Sequence, residues 1–417
     1  MISVLKSFLL FCILSSIVLA QTTDVKWNNA SFQKIPKKIA THDSPARNLT
    51  VDSMFIFQSG PQFNTNILWR GMYDSNDSNI EGKLLLLNSS SLSIIDTNSD
   101  FDSGVASDDM QMVATLDGSI TAVVTQNDDD NNTQIVCHTI IGGEGPPISY
   151  TITNNTDPNT TYRIETLIVN ASAPYLVYSK TVNQSEVVLY AGAINITEKA
   201  LTNVRILTYG PCSNVKCDTY LDPLGVLCLF RANSSIWASL LTRESPRLQF
   251  LKSDNSSSPN DIPVRYYPEA VISTLSYTVG ILSAWRNDAV FLLVQNFDFG
   301  SEDRIRSNQS IAVKNFGINN VVQNPFIGGV AFHDDIALFY TSYDDSRAQN
   351  WYYAGYDRDG VPTHLETLLA NVEPNSFSRL KIAKDAGTEA VSVAAYVSVL
   401  PNSTAIFYGQ VLNQMSE

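Results

Sequence analysis

In the run DTNSDFDSG, Asp96, Asn98, Asp100 and Asp102 place an oxygen-bearing side chain at every second position. Calcium is held by roughly six to eight oxygens, and alternating acids resemble the loops that supply them. Phe101 stands at the sixth position, where a helix–loop–helix calcium site uses glycine for its sharp turn. A solvated acidic turn therefore competes with a calcium site, which Asp108 and Asp109 could complete if the chain folds back. No motif in the chain requires a cofactor.

The other chemistry-bearing residues are scattered. His42, His138, His333 and His364 have no zinc-binding spacing, and there is neither a nucleophile elbow nor a phosphate-cradling loop with its Lys-Ser/Thr ending. IGGEGPP from Ile141 reads as a turn. The acidic clusters NDDDNN from Asn127 and DFGSED from Asp298 read as solvated loops. His333, Asp334 and Asp335 read as a capped hairpin. Carboxylates are numerous enough for a glycosidase pair to form between distant segments. Trp351 and Tyr352, near a strand end, are candidates for stacking on a sugar ring.

Residues 1–20 combine one lysine, an apolar run and small residues before Gln21, the pattern of a secretory signal peptide. The apolar run is shorter than a bilayer span needs, so membrane insertion is not expected. Glycosylation tripeptides occur at Asn29, Asn48, Asn76, Asn88, Asn131, Asn154, Asn159, Asn170, Asn183, Asn195, Asn233, Asn255, Asn308 and Asn402. Together they predict a secreted, extracellular glycoprotein. The formal charge of −14 argues against nucleic acid as a partner.

Alternation with a period of two dominates, with Val, Ile, Tyr and Phe runs punctuated by Gly, Asn, Asp and Ser. Seven units follow one another, starting at Val51, Leu116, Asn170, Asp222, Arg286, His333 and Asp385. Each has a short strand, a turn, an apolar strand, a polar loop and a third strand. Trp69, Cys137, Tyr190, Trp237, Val313, Tyr353 and Phe407 mark the third strands, and a fourth strand such as VRILTY from Val204 often follows.

Four antiparallel strands repeated seven times resemble a β-propeller. The Trp-Asp, kelch and sialidase signatures do not recur, so the resemblance is one of architecture. It implies an all-β fold, a single seven-bladed β-propeller over residues 51–417, preceded by an N-terminal segment, 21–50. The seventh unit ends after its third strand, so Asp24–Phe32 is expected to pair with Ala405–Leu412 and close the ring.

In such a ring the loops between second and third strands share a face with the blade-to-blade connections. The repeat assignment puts Asn131, Asn183, Asn233, Asn308 and Asn402 in those loops, which would screen that rim. Cys212 and Cys217 flank PCSNVKC and are expected to form a local disulfide, leaving Cys137 and Cys228 as buried thiols. The leading expectation is a non-enzymatic binding module for an extracellular glycan or protein; the alternatives are a carbohydrate-active hydrolase with carboxylates at the central channel and a structural component of a cell coat or matrix.

Overall fold

The computed structural model describes residues 30–32, 37–42, 47–59, 62–72, 81–88, 94–101, 110–115, 118–129, 132–141, 147–153, 160–170, 173–183, 186–219, 225–241, 246–254, 264–274, 276–286, 289–299, 305–307, 311–316, 325–332, 335–343, 349–371, 380–384, 391–399 and 405–414. Among these residues all regular structure is β-strand, arranged in five four-stranded and two five-stranded antiparallel sheets. The architecture is consistent with a β-propeller.

The sheets follow chain order, and their first strands are Arg47–Ser59, Met110–Ala114, Thr160–Asn170, Ser213–Thr219, Val264–Ser273, Phe326–Phe332 and Lys381–Lys384. Each first strand lies against the next one, and Lys381–Lys384 lies against Arg47–Ser59. Middle strands are apolar on both faces: Val226–Phe230 is buried without interruption. That pattern arises when a sheet is covered on both sides. The fourth strand Ile148–Thr151 of the second sheet is mostly exposed.

The core is correspondingly a series of layers between sheets. One layer joins Val177 and Leu189 of the third sheet to Val226, Cys228 and Phe230 of the fourth. The next joins Leu227 and Leu229 to Leu282 and Phe297 of the fifth. Burying each such side chain contributes about 1.5–3 kcal/mol. Close approach is enforced at Gly280, where a Cβ would stand 2.5 Å from Leu229 Cδ1.

Turns follow local chemistry. Asn233 and Ser234, with φ of 49° and 59°, form the two-residue connection between paired Ala232 and Ser235. Two left-handed residues suit the strand twist of a tight hairpin, and asparagine tolerates that conformation.

Third strands begin at Glu81, Asn132, Glu186, Ser235, Ala289, Gln349 and Ala405, 49 to 60 residues apart. Cys137, Tyr190, Trp237, Tyr353 and Phe407 lie in them as expected. Trp69 and Val313 do not. Trp69 belongs to the second strand of its sheet, Gln62–Met72, and Val313 to Ile311–Asn315, which flanks the third. The tight turn between Arg286 and Ala289 joins second to third strand rather than first to second.

The N-terminal segment pairs with the last strand through Ala30–Phe32, the described end of the expected Asp24–Phe32, and also through a second strand further along. Ala30–Phe32 pairs with Leu412–Gln414, and Lys37–His42 pairs with Ala405–Gly409.

DTNSDFDSG is also corrected. Asp96, Asn98 and Asp100 belong to the fourth strand Ile94–Phe101, where Asp96 pairs with Leu86 and Asn98 with Leu84. An edge strand tolerates acids because one side meets water, and charge discourages further pairing. Asp102 lies outside the described residues.

Candidate functional site

The first strands of the third and fifth sheets share a local irregularity. The pairing of Thr160–Asn170 with its neighbour slips between Ile164 and Thr166, so Glu165 is an extra residue. In Val264–Ser273 the slip falls between Pro268 and Ala270, and the extra residue is Glu269. A bulge of this kind re-aims a side chain. The first sheet has the same slip around Asp52, between Val51 and Ser53.

Both glutamates meet a serine on the adjacent strand. Ser179 Oγ donates to Glu165 Oε1 at 2.9 Å, and Ser283 Oγ donates to Glu269 Oε1 at 2.5 Å. Ser283 in turn accepts a hydrogen bond from Trp285 Nε1 at 3.1 Å, so indole, hydroxyl and carboxyl form a chain. Burial pushes the Glu269 carboxyl above the ordinary range, against the opposing effects of the Ser283 hydroxyl and the Lys216 ammonium. Lys216 comes from the first strand of the fourth sheet.

Glu165 is 6% exposed at its side chain, and Arg163 Nε stands 4.0 Å from its Oε1 with 65% exposure. The Cys212 thiol, just before the first strand of the fourth sheet, feels both groups. Burial chiefly pushes it up to about 11, with Glu165 adding and Arg163 opposing.

Side chains stitch these strands together. Gln111 of the second sheet grips the bulge, accepting from Leu167 N at 2.7 Å and donating to Glu165 O at 3.3 Å. Thr219 Oγ1 donates to Val169 O at 3.0 Å, and Ser273 N donates to Asp218 Oδ2 at 2.9 Å. Beside them Arg231 and Asp254 form a two-pronged pair of 3.1 and 2.5 Å, and Asp254 Oδ1 also accepts from Tyr266 N at 3.2 Å. That cluster ties the fourth sheet to the fifth.

The residues singled out in the sequence fare differently. Trp351 is 4% exposed and belongs to a core layer with Phe339 and Tyr353, so it is not available to stack on a sugar. Tyr352 is half-buried and stacks on Tyr340. Among the described residues no group of three metal-ligating side chains gathers; the side chains of Asp96, Asn98, Asp100 and Asp102 lie outside that set.

The disulfide expected between Cys212 and Cys217 is instead Cys217–Cys228, with Cα atoms 4.1 Å apart, and Cys212 is a free thiol. The reason is that Cys217 lies within the strand Ser213–Thr219 and, past a bulge holding left-handed Asn214, is paired with the neighbouring strand, whereas Cys212 precedes the strand. Cys217 and Cys228 are directly opposite across paired strands. Cys137 is free and buried, its thiol pushed up to about 12 by burial.

Asn183 and Asn233 are exposed, left-handed turn residues between second and third strands. Asn195 caps a turn, its Oδ1 accepting from Glu198 N. Asn48, Asn88 and Asn170 lie in strands. Asn29, Asn76, Asn131, Asn154, Asn159, Asn255, Asn308 and Asn402 lie outside the described residues. With the corrected strand order, Asn308 no longer separates second and third strands, whereas Asn76 does.

Glu165 and Glu269 were missed by motif reading. The available signal was an acid inside an apolar first strand, RIETLIV and YYPEAVIS, each with a serine 14 residues on.

No family model matches the chain, and no curated protein matches it. Solved structures do. Polysaccharide lyase Uly1 is similar at 9% identity over 88% of this chain and 90% of that one, with a TM-score of 0.52. The periplasmic gluconolactonase PpgL of Pseudomonas aeruginosa is similar at 11% identity over 77% and 85%, with a TM-score of 0.46. A prolyl endopeptidase is similar at 10% identity over 87% and 54%, with a TM-score of 0.40. The chain spans about half the length of that endopeptidase. These neighbours are propeller-type folds, and at such identities the likeness concerns the fold.

Proposed function

We propose that the chain is an exported, glycosylated, seven-bladed β-propeller that acts on carbohydrate through carboxylates at its central channel. The cyclic order of the seven first strands and the N-terminal strands on the last sheet support the closed ring. The Cys217–Cys228 disulfide favours an oxidising compartment. Five connections between second and third strands carry a glycosylation tripeptide, at Asn76, Asn131, Asn183, Asn233 and Asn402, so attached sugars would crowd one rim.

The observation that carries the activity is Glu269. It is a carboxyl on a first-strand bulge, held by Ser283 and Trp285, with burial favouring its protonated form. A carboxyl whose protonated form is favoured by burial is what a general acid needs to protonate a glycosidic oxygen. Glu165, beside Arg163, is the second carboxylate of the scheme. The similarity to a polysaccharide lyase agrees with a carbohydrate substrate. A binding module relying on Trp351 loses its anchor to the core.

The test is release of new chain ends from a panel of neutral and acidic polysaccharides by the secreted protein, its Glu269→Gln variant and its Glu165→Gln variant. Turnover that falls at least about a hundredfold in Glu269→Gln supports the reading. Absence of turnover on the whole panel, or an undiminished variant, sinks it.

A further inference from the structure

The chain is strongly acidic as a whole, with 27 basic against 41 acidic residues. Its seven first strands reverse that balance. They carry six basic residues, Arg47, Arg163, Lys216, Arg265, Lys381 and Lys384, and four acidic ones, Asp52, Glu165, Asp218 and Glu269.

The side chains accentuate the reversal. Glu165 is 6% exposed and engaged by Ser179. Glu269 is held by Ser283, and Asp218 accepts from Ser273 N and from Thr219 N at 2.8 Å. Glu165, Glu269 and Asp218 are thus engaged by protein hydrogen-bond donors. Arg163, Lys216 and Arg265, on three successive first strands, are exposed. Among the described charged side chains of these strands, the exposed ones are therefore cations on three neighbouring strands. Ionic screening over about 10 Å keeps the distant negative surface from cancelling this local field.

From this arrangement we infer that the ligand of the first-strand site is an anionic polysaccharide, bearing carboxylate or sulfate groups, recognised by Arg163, Lys216 and Arg265. The inference deepens the proposed carbohydrate activity and rests on that reading for the sugar, while the charge preference stands on the three cations. Guanidinium groups suit both anions because their paired N–H donors match two oxygens at once. Lys216 has a second task, since it also acts on Glu269. An anionic residue bound there would bring its neighbouring glycosidic bond towards the carboxyl.

The experiment measures binding by titration calorimetry with the Glu269→Gln protein, which avoids depolymerisation, against polygalacturonate, dextran sulfate and uncharged dextran. It is repeated in an Arg163→Gln/Arg265→Gln background and in an Arg163→Lys/Arg265→Lys background. Turnover by the unsubstituted protein is followed separately.

The expected result is binding to at least one polyanion about tenfold or more tighter than to dextran, weakening about tenfold between low and high salt. The glutamine pair should abolish the preference, and the lysine pair should retain much of it. Polygalacturonate binding alone identifies a carboxylate ligand, and dextran sulfate binding alone a sulfate ester. Preference for dextran, equal binding of all three, no binding, or a preference that survives the glutamine pair overturns the inference. Polyanion binding without any turnover upholds it while removing the proposed activity, whereas turnover of neutral glycans without a polyanion preference does the reverse.

Discussion

Glu165 and Glu269 occupy equivalent places two sheets apart, each the extra residue of a first-strand bulge and each hydrogen-bonded to a serine 14 residues further on. The repetition matters because a bulge costs ladder hydrogen bonds and leaves a residue unpaired. Two such sites with the same acid and the same hydroxyl partner point to a common use.

Glu269 links this site to pH. Its folded-state titration is raised, so between the unfolded carboxyl value of about 4.3 and the folded one the native protein binds more protons, and stability falls as pH rises. Glu269→Gln removes the titration. The variant's melting temperature relative to the parent should climb as pH increases above the unfolded carboxyl value of about 4.3 and level off once the folded carboxyl has titrated. A difference that is flat with pH would refute the assignment.

Gln111 is expected to act as a positioning residue. Gln111→Ala removes the acceptor of Leu167 N and the donor to Glu165 O, at a cost of about 1–3 kcal/mol. Denaturant unfolding should show a lower midpoint with an unchanged slope. An unchanged midpoint would mean that the bulge holds itself.

Asp254 carries a larger load. It accepts from both arms of Arg231 and from Tyr266 N, at 15% and 18% side-chain exposure for the ion pair. Asp254→Ala takes the carboxylate from a largely covered guanidinium, which keeps Tyr266 O as an acceptor, and the loss should approach about 3 kcal/mol. Replacing Lys314, whose pair with Glu366 is more exposed, should cost well under half of that by the same measurement.

Peptide mapping without reduction should recover Cys217 linked to Cys228 and Cys212 as a free thiol. Closing a loop of 11 residues stabilises by about 3 kcal/mol in the chain-entropy account, so Cys228→Ser should unfold at clearly lower denaturant and Cys212→Ser should not. A recovered Cys212–Cys217 peptide would contradict the pairing.

Much of the fold was legible because it rests on local alternation. Tyr190, Trp237 and Tyr353 could be placed in third strands from periodicity and turn chemistry alone. The fifth sheet was misread at the Arg286–Ala289 hairpin, since a turn's residues do not say which two strands it joins. The candidate site was nearly invisible. A bulge is a relation between two strands, and neither RIETLIV nor its partner carries it alone. The cysteines failed for a related reason: Cys217 and Cys228 are neighbours only once Ser213–Thr219 is known to be extended.

The pairing of Lys37–His42 with Ala405–Gly409 has a consequence for how the molecule comes into being. On a ribosome the early strand emerges hundreds of residues before its partner, and must wait uncommitted while the intervening sheets assemble. Contacts of such long sequence separation slow folding. The waiting segment is also an unpaired strand, the kind of surface that invites aggregation or capture by chaperones. Loss of either end of the chain should therefore damage the same sheet.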